Sequence, residues 1–196
     1  FGEEYTLVAV ADFVLNKTSG NTVSNLSSTR ALRDITNKHN GNYEASAVGE
    51  VHVVRKMKEI NAIIGGEGNG GVIYPELHYG RDALVGIALF LTQLAERKIS
   101  CRTLRDSYPN YFISKNKIEL TPIMDIDNIF STLEEKYKSE KISTIDGIKI
   151  DFKDGWGHLR KSNTEPIIRI YAESDNEVRA NLFAERMIKE IEKLIE

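Results

Sequence analysis

The sequence predicts an α/β protein of two domains. A mixed, mostly parallel α/β sheet domain is expected over residues 1–120, and a smaller α+β domain with an antiparallel sheet and two helices over residues 121–196. In the first part, segments with helical periodicity alternate with short strand-like segments, which is typical of parallel sheets. In the second part, segments that alternate apolar and polar residues follow one another between two amphipathic helices. The composition changes near Leu120, and we place the boundary there.

The first domain begins with a helix that a polar Asn-Lys-Thr-Ser-Gly-Asn segment ends. Asp82 is the expected N-cap of a later helix, whose first half is apolar nearly all round and is therefore predicted to be buried. We predict helices over residues 4–15, 29–39, 51–59, 82–97 and 100–106, and strands over residues 22–26, 43–48 and 61–65.

The second domain contains an amphipathic helix over residues 125–138, which Asp125 and Asp127 open. Two carboxylates are too few to suggest a metal site, so capping is the favoured interpretation. We predict strands over residues 148–152, 156–159 and 167–172, and a final helix after residues 174–177.

Composition excludes several classes of protein. The net charge is −3, so we expect no nucleic-acid or membrane partner. Cys101 is the single cysteine, which fits a cytoplasmic protein without disulfides. The longest apolar run, residues 83–91, is too short to span a bilayer. The chain starts at Phe1 without an initiator Met, and we expect it to be the C-terminal part of a longer protein.

Residues 160–169 read Arg-Lys-Ser-Asn-Thr-Glu-Pro-Ile-Ile-Arg and lie between two predicted strands. Such a loop can direct hydroxyl and backbone donors at one point, while Arg160 and Arg169 offer planar forks for a phosphate. An ordinary polar turn is the alternative. His158, two residues upstream, either lines the same site or faces solvent.

This segment resembles the phosphate-binding loop of the α-D-phosphohexomutases, a family of phosphoglucomutases, phosphomannomutases and phosphoglucosamine mutases. Both arginines of the motif are in place. The resemblance implies that the loop binds the non-reacting phosphate of a hexose phosphate through Arg160, Ser162, Asn163, Thr164 and Arg169.

Residues 66–71, Gly-Glu-Gly-Asn-Gly-Gly, spell the glycine pattern of a dinucleotide-binding loop. No helix follows directly to receive a pyrophosphate, so we reject that interpretation. The segment is similar to the family's sugar-binding loop, Glu-x-Ser-Gly-His. Glu67 then matches the Glu and Asn69 the Ser, whereas Gly71 replaces the His and leaves that contact in doubt. A flexible surface loop is the alternative.

Two further segments are candidate parts of the site. Val48-Gly49-Glu50-Val51 is similar to another segment of the family's third domain, which implies that Glu50 faces the sugar. The hydroxyls of Ser27, Ser28 and Thr29 lie at a strand-to-helix turn, where capping is the commoner role.

The resemblance covers nearly the whole chain as the family's third and fourth domains. It implies a full-length enzyme that moves phosphate between the 1- and 6-positions of a hexose through a bisphosphorylated intermediate. The family's phosphoserine and Mg²⁺-binding loops are absent here, so no catalytic or metal residue is assigned. Partners would be a hexose phosphate and N-terminal domains of the same polypeptide, and we expect this piece alone to be inactive. The alternatives are a phosphosugar-binding module without catalysis and a nucleotide-dependent oxidoreductase. The sequence does not specify the hexose or the oligomeric state.

Overall fold

The computed structural model describes residues 1–121, 124–162 and 164–195. The chain divides into two compact units, Phe1–Asn110 and Tyr111–Glu196. The predicted boundary near Leu120 lies inside the second unit, because residues 112–119 form a strand of that unit's sheet. Sequence composition did not reveal this pairing, which joins segments far apart in the chain.

The first unit is built around a four-stranded mixed sheet in the order β2-β1-β3-β4. Strand β1 pairs in parallel with β2 and β3, and β4 runs antiparallel to β3. The strands of this sheet are β1 (Asn21–Asn25), β2 (Tyr43–Ser46), β3 (Ala62–Glu67) and β4 (Gly71–Ile73). The helices are α1 (Glu3–Lys17), α2 (Ala31–Lys38), α3 (Glu50–Glu59), α4 (Ala83–Arg97) and α5 (Cys101–Asp106).

Helices cover both faces of this sheet. Val23 of β1 packs with Val53 and Met57 of α3, while the neighbouring Thr22 shares a hydrogen bond of 2.6 Å with Thr36 of α2 on the other face. Helix α1 packs against α2, α4 and β3, and most of its side chains are buried. The predicted mixed, mostly parallel α/β domain is confirmed.

Helix α4 departs from its prediction. Asp82 accepts a hydrogen bond of 3.0 Å from the backbone N–H of Val85, so the predicted N-cap is confirmed. The predicted burial is wrong, because Leu84, Ile87 and Leu91 are 78%, 54% and 56% exposed. The helix contacts α1 and β4 on one side, and apolar composition alone does not say which side is covered.

The second unit has a five-stranded antiparallel sheet in the order β5-β9-β8-β7-β6. Helices α6 and α7 pack on one face of it, around a core that includes Ile150, Leu159, Ile170, Met187 and Ile191. The predicted α+β unit is confirmed. Its elements are β5 (Phe112–Glu119), α6 (Ile126–Lys136), β6 (Lys141–Ser143), β7 (Ile148–Phe152), β8 (Gly155–Lys161), β9 (Ile167–Ser174) and α7 (Glu177–Ile195).

Helix α6 begins as predicted. Asp125 accepts a hydrogen bond of 3.0 Å from the backbone N–H of Asn128, which confirms its capping role.

Candidate functional site

The glycine-rich segment of the first unit is a β-hairpin rather than a loop. Strand β3 continues to Glu67, two residues beyond its predicted end, and pairs there with Gly71 of β4. A Cβ at Gly66 would lie 1.9 Å from the carbonyl oxygen of Gly71, so only glycine fits that position. The turn leads into an antiparallel strand instead of a helix N-terminus. The rejection of a dinucleotide-binding loop is therefore confirmed.

Glu67 is held inside its own unit. Its side chain is buried, and Oε1 accepts hydrogen bonds from Asn25 Nδ2 at 3.0 Å and from the backbone N–H of Gly49 at 3.2 Å. Its other oxygen, Oε2, lies 3.3 Å from Arg81 Nη1. The carboxylate is thus solvated by protein groups, as a buried charge must be. Glu67 Oε2 can contact a ligand only if the Arg81 side chain moves away from it.

Arg81 connects two of the acidic residues predicted from the sequence. Its Nε donates to Glu50 Oε2 at 2.8 Å, and its backbone N–H donates to Glu50 Oε1 at 3.2 Å. The side-chain hydrogen bond from Arg81 is the main reason why the pKa of Glu50 is lowered. Sequence reasoning missed Arg81, because it stands alone between two elements and belongs to no periodic pattern. Only the pairing of distant segments shows its role.

Glu50, Asn69 and Arg81 line a cavity of about 460 Å³ beside the hairpin, together with Gly70, Gly71, Val72, Asp82 and Ala83. Asn69 is exposed, and its Oδ1 accepts a hydrogen bond of 3.1 Å from the backbone N–H of Gly71. Carboxylate, amide and guanidinium groups at one cavity can accept and donate hydrogen bonds to adjacent hydroxyls. The structure brings Glu50 and Asn69 together there and places Glu67 behind Arg81.

Of the hydroxyls of residues 27–29, that of Ser28 braces this hairpin. Ser28 Oγ accepts a hydrogen bond of 2.9 Å from the backbone N–H of Gly68 and donates one of 3.0 Å to Asn25 Oδ1. Thr29 Oγ1 accepts from the backbone N–H of Ala31 at 3.2 Å, at the start of α2. The N-cap of α2 is Arg30, without a side-chain capping bond, so Thr29 bonds to the first turn but is not the cap. Ser28 holds the turn next to Glu67.

In the second unit, the predicted phosphate loop joins β8 to β9. Arg160 and Arg169 are directly opposite each other in the antiparallel register, so their side chains leave the same face of the sheet. The backbone N–H of Ser162 donates to the carbonyl oxygen of Ile167 at 2.9 Å, which closes the loop. The Ser162 hydroxyl lies 3.4 Å from the backbone nitrogen of Thr164. Asn163, also predicted for this site, lies outside the described residues.

The two guanidinium groups are in different states. Arg160 Nε is buried and has no hydrogen-bond partner among the described residues. Arg169 Nη2 donates to Glu165 Oε2 at 2.5 Å, across the same loop. A buried donor without an acceptor is costly, and two like charges on opposed residues destabilise a sheet. An anion bound at this face would supply an acceptor to Arg160 and offset the repulsion between the two arginines.

His158 lies on the same face of the sheet as Arg160 but is only 1% exposed. The suggestion that it faces solvent is therefore wrong. Its Nε2 lies 2.7 Å from the carbonyl oxygen of Asp146, so this nitrogen carries the proton and donates. Burial, with help from the charges of Lys149 and Arg160, lowers the pKa of His158 to about 4. The ring is neutral at physiological pH.

Comparison with known proteins identifies the family of this chain. The family model described as phosphoglucomutase/phosphomannomutase, alpha/beta/alpha domain III, matches residues 2–111. The model of the C-terminal domain of the same family matches residues 116–190. The chain belongs to the phosphoglucomutase/phosphomannomutase family. The first match extends one residue beyond the first unit, and the second lies within the second unit.

Curated relatives carry the names of more than one mutase activity. The chain is 37% identical over 176 residues to a phosphoglucosamine/phosphogalactosamine mutase of Sulfurisphaera tokodaii, covering 89% of this chain and 38% of that protein. It is 36% identical over 193 residues to a phosphoglucomutase/phosphomannomutase of Thermococcus kodakarensis, covering 97% of this chain and 42% of that protein. The chain therefore spans about two fifths of the length of the curated relatives that it matches.

Solved structures show the same fold. A phosphoglucomutase/phosphomannomutase family protein of Burkholderia thailandensis matches with a TM-score of 0.79 and 22% identity, over 98% of this chain and 41% of that one. The N-acetylphosphoglucosamine mutase of Aspergillus fumigatus, solved with GlcNAc-6P and magnesium, matches with a TM-score of 0.69 and 14% identity, over 97% and 43%.

The Aspergillus fumigatus structure was solved with magnesium, so the described residues of this chain were compared with the requirements of a metal site. Within residues 1–121, 124–162 and 164–195, no group of three or more His, Cys, Asp or Glu side chains could hold a metal ion. The side chains of these residues therefore do not fit Mg²⁺. Nor does any helix in the described part of the chain combine the length and apolar character needed to cross a membrane.

Proposed function

We propose that the whole protein is a phosphohexomutase that moves phosphate between the 1- and 6-positions of a hexose phosphate through a bisphosphorylated intermediate. Membership in the mutase family and the names of the relatives support this proposal. In this reaction a phosphoserine gives its phosphoryl group to a sugar hydroxyl, and the serine oxygen later takes back the other phosphoryl group. The serine lies outside this chain. The two units described here bind and orient the substrate.

The second unit binds the phosphate that does not react. The observation that carries this role is the pair of opposed arginines, of which Arg160 has a buried Nε that meets no partner among residues 1–121, 124–162 and 164–195. A phosphate dianion supplies acceptors to both guanidinium groups, and Ser162 and Thr164 add loop donors to it. Asn163 belongs to the same proposed set by its place in the motif. Holding one phosphate fixed lowers the entropic cost of transferring the other.

The first unit binds the sugar. Glu50 and Asn69 line its polar cavity and offer acceptors and donors to neighbouring hydroxyls. Glu67 takes part where a sugar hydroxyl replaces Arg81 on Oε2, and until then it holds the hairpin in shape. The acidic character of this site suits a neutral sugar ring rather than a phosphate.

Cofactor and compartment follow from the same proposal. Mg²⁺ would be held by residues outside this chain, and a hexose bisphosphate would act as activator and intermediate. Glucose, mannose and glucosamine phosphates are all candidate substrates, since relatives are named for each of these mutase activities. The protein would work in the cytoplasm, in keeping with its one exposed, unpaired cysteine, Cys101.

Two conservative variants test the division of labour in the whole protein. Arg160→Lys keeps the charge and loses the planar fork, so affinity for both inorganic phosphate and glucose 6-phosphate should fall roughly tenfold to a hundredfold. Glu50→Gln is the matched variant of the first unit. This variant should lower the affinity for glucose 6-phosphate and leave the affinity for inorganic phosphate unchanged. Titration calorimetry measures both ligands with each variant.

The result that would overturn the assignment is a normal phosphate affinity in Arg160→Lys, or an equal loss of both ligands in Glu50→Gln. Turnover assays separate the mutase from a binding module without catalysis. The whole protein should convert glucose 1-phosphate to glucose 6-phosphate, whereas the 196-residue chain should bind without turnover. Turnover by the pure 196-residue chain would refute the expected inactivity of this piece.

A further inference from the structure

Strand β5 carries a lysine at a position that no motif marks. Lys117 is directly opposite Arg169 of β9, and Arg169 is directly opposite Arg160 of β8. These residues form a lateral row of cations across three adjacent strands, which we call the cationic row. We propose that Lys117 is a further phosphate-binding residue of the second unit, an inference that rests on the proposed function of the loop.

The register places the whole cationic row on one face of the sheet. Ile118 and Ile168, the neighbours of Lys117 and Arg169 in sequence, pack into the core beneath helices α6 and α7. Side chains alternate along a strand, so Lys117, Arg169 and Arg160 leave the face opposite to α6 and α7. Directly opposed residues lie side by side on that face.

Distances between strands allow the row to serve one ligand. Adjacent strands are about 4.8 Å apart, so Lys117 and Arg160 flank Arg169 at one strand spacing on either side. The long side chains of lysine and arginine can converge over such a gap. A phosphate on the Arg169 guanidinium would then meet Arg160 and the loop on one side and Lys117 on the other.

A cavity lies at the Lys117 side of Arg169. It measures about 380 Å³ and is lined by Lys115, Asn116, Lys117, Glu165, Ile167, Arg169 and Tyr171. Its acidic member, Glu165, already accepts a hydrogen bond from Arg169. A phosphate dianion carries more charge than one carboxylate, so it can replace Glu165 on Arg169 while reaching Lys117.

Electrostatics explain why the row points to an anion. Lys117 is exposed, and Glu119, two residues along the same strand face, is exposed as well. Like charges on opposed residues of a sheet destabilise it, and the row contains two such pairs. A bound dianion attracts all three cations of the row and thereby offsets both repulsions. The buried Nε of Arg160, which has no acceptor in the part of the chain that the structure describes, lies in the same row.

Lys115 supplies a matched control. It lies on the same strand and the same face and lines the same cavity, but it is opposite Tyr171 instead of Arg169. Its Nζ lies 5.7 Å from the centre of the Tyr171 ring. The two lysines share charge, exposure and strand, and they differ in distance from the arginines. A general attraction of the surface for anions would depend equally on both.

The test titrates inorganic phosphate into the 196-residue chain and its variants by calorimetry at fixed ionic strength. Lys117→Met should raise the Kd for phosphate roughly threefold to tenfold. Lys115→Met should change it less than twofold, and Lys117→Arg should restore most of the affinity. Both lysines are exposed, so both Met variants should keep the wild-type melting temperature.

Arg160→Met separates failure of this inference from failure of the proposed function. Loss of phosphate binding in Arg160→Met with a normal Kd in Lys117→Met overturns the assignment of Lys117 alone. Equal losses in Lys117→Met and Lys115→Met also overturn it, since they indicate a general charge effect. Normal phosphate binding in Arg160→Met, or none in the wild-type chain, removes the proposed loop site itself, and the inference with it.

Discussion

The two candidate sites differ in how completely the protein satisfies them. In the first unit, Arg81 pairs with both Glu50 and Glu67, and each carboxylate oxygen of Glu67 has a protein partner. In the second unit, Arg160 and Arg169 are opposed, and Arg160 Nε is buried without a described partner. The carboxylates of the first site are thus paired within the protein, whereas in the second site Arg169 is paired with Glu165 and Arg160 Nε is left for an incoming anion.

This difference matches the chemistry of the two ligand classes. A neutral sugar is bound by hydrogen bonds. A sugar site therefore binds more tightly when its polar groups are already held in place by protein partners. A phosphate contributes its own charge, so a site that binds it can leave cations unneutralised until the ligand arrives. Binding at the second site should therefore respond to charge, whereas removing a group from the first site should cost stability.

The largest expected effect is on the stability of the first site. Glu67→Ala removes the acceptor for Asn25 and for the backbone N–H of Gly49, and it breaks the contact with Arg81. We expect a loss of about 3 kcal/mol in the free energy of unfolding of the first unit. Urea denaturation followed by circular dichroism measures it. Asn69→Ala, at an exposed residue of the same hairpin, is the control and should cost at most about 0.5 kcal/mol.

A loss below about 1 kcal/mol in Glu67→Ala would show that the carboxylate is not needed for the hairpin. The first site would then owe its shape to the backbone pairing of β3 and β4.

The second effect is a dependence of the stability of the second unit on pH, through His158. The pKa of His158 is lowered to about 4 by burial, against an ordinary value of 6.5. Between these values the unfolded chain binds a proton that the folded chain does not, so stability falls as the pH falls. From pH 7 to pH 5 the second unit should lose about 2 kcal/mol. The fluorescence of Trp156, the single tryptophan, follows urea denaturation of this unit.

His158→Gln removes the titrating ring and keeps an N–H donor for the carbonyl oxygen of Asp146. Its stability should depend less on pH across the same range. An unchanged slope in this variant would assign the effect to other groups.

The smallest effect sharpens the contrast by charge. Glu165→Gln removes the carboxylate that occupies Arg169, so phosphate should bind the second unit roughly threefold to tenfold more tightly. Glu119→Gln, an exposed acid on the neighbouring strand, changes the net charge equally and should alter the Kd less than twofold. Phosphate titration of the 196-residue chain compares them. Equal gains in both variants would show a general charge effect instead of competition at Arg169.

Contiguous patterns accounted for most of the secondary structure. The caps at Asp82 and Asp125 were predicted correctly, because a capping side chain acts within three residues of its own position. The α/β and α+β classes were confirmed for the same reason, since periodicity is a local property. The loop of Arg160 and Arg169 was recognisable because its members lie within ten residues of one another in the sequence.

Pairings across long separations could not be predicted in this way. Strand β5 joined the second unit through β9, which moved the boundary from near Leu120 to Asn110 and Tyr111. Helix α4 looked like a buried helix, yet Leu84 is 78% exposed. An apolar sequence predicts that a helix face is buried, but the packing of other elements decides whether it is.

The sequence by itself determined the helices, most of the strands, the two fold classes and the polar loop of the second unit. Only the tertiary structure placed Arg81 between Glu50 and Glu67, buried His158 and set Lys117 opposite Arg169. The physical reason is range. Caps, turns and periodicity depend on neighbours a few residues away, whereas the charge, burial and partners of a side chain depend on segments that only the fold brings together.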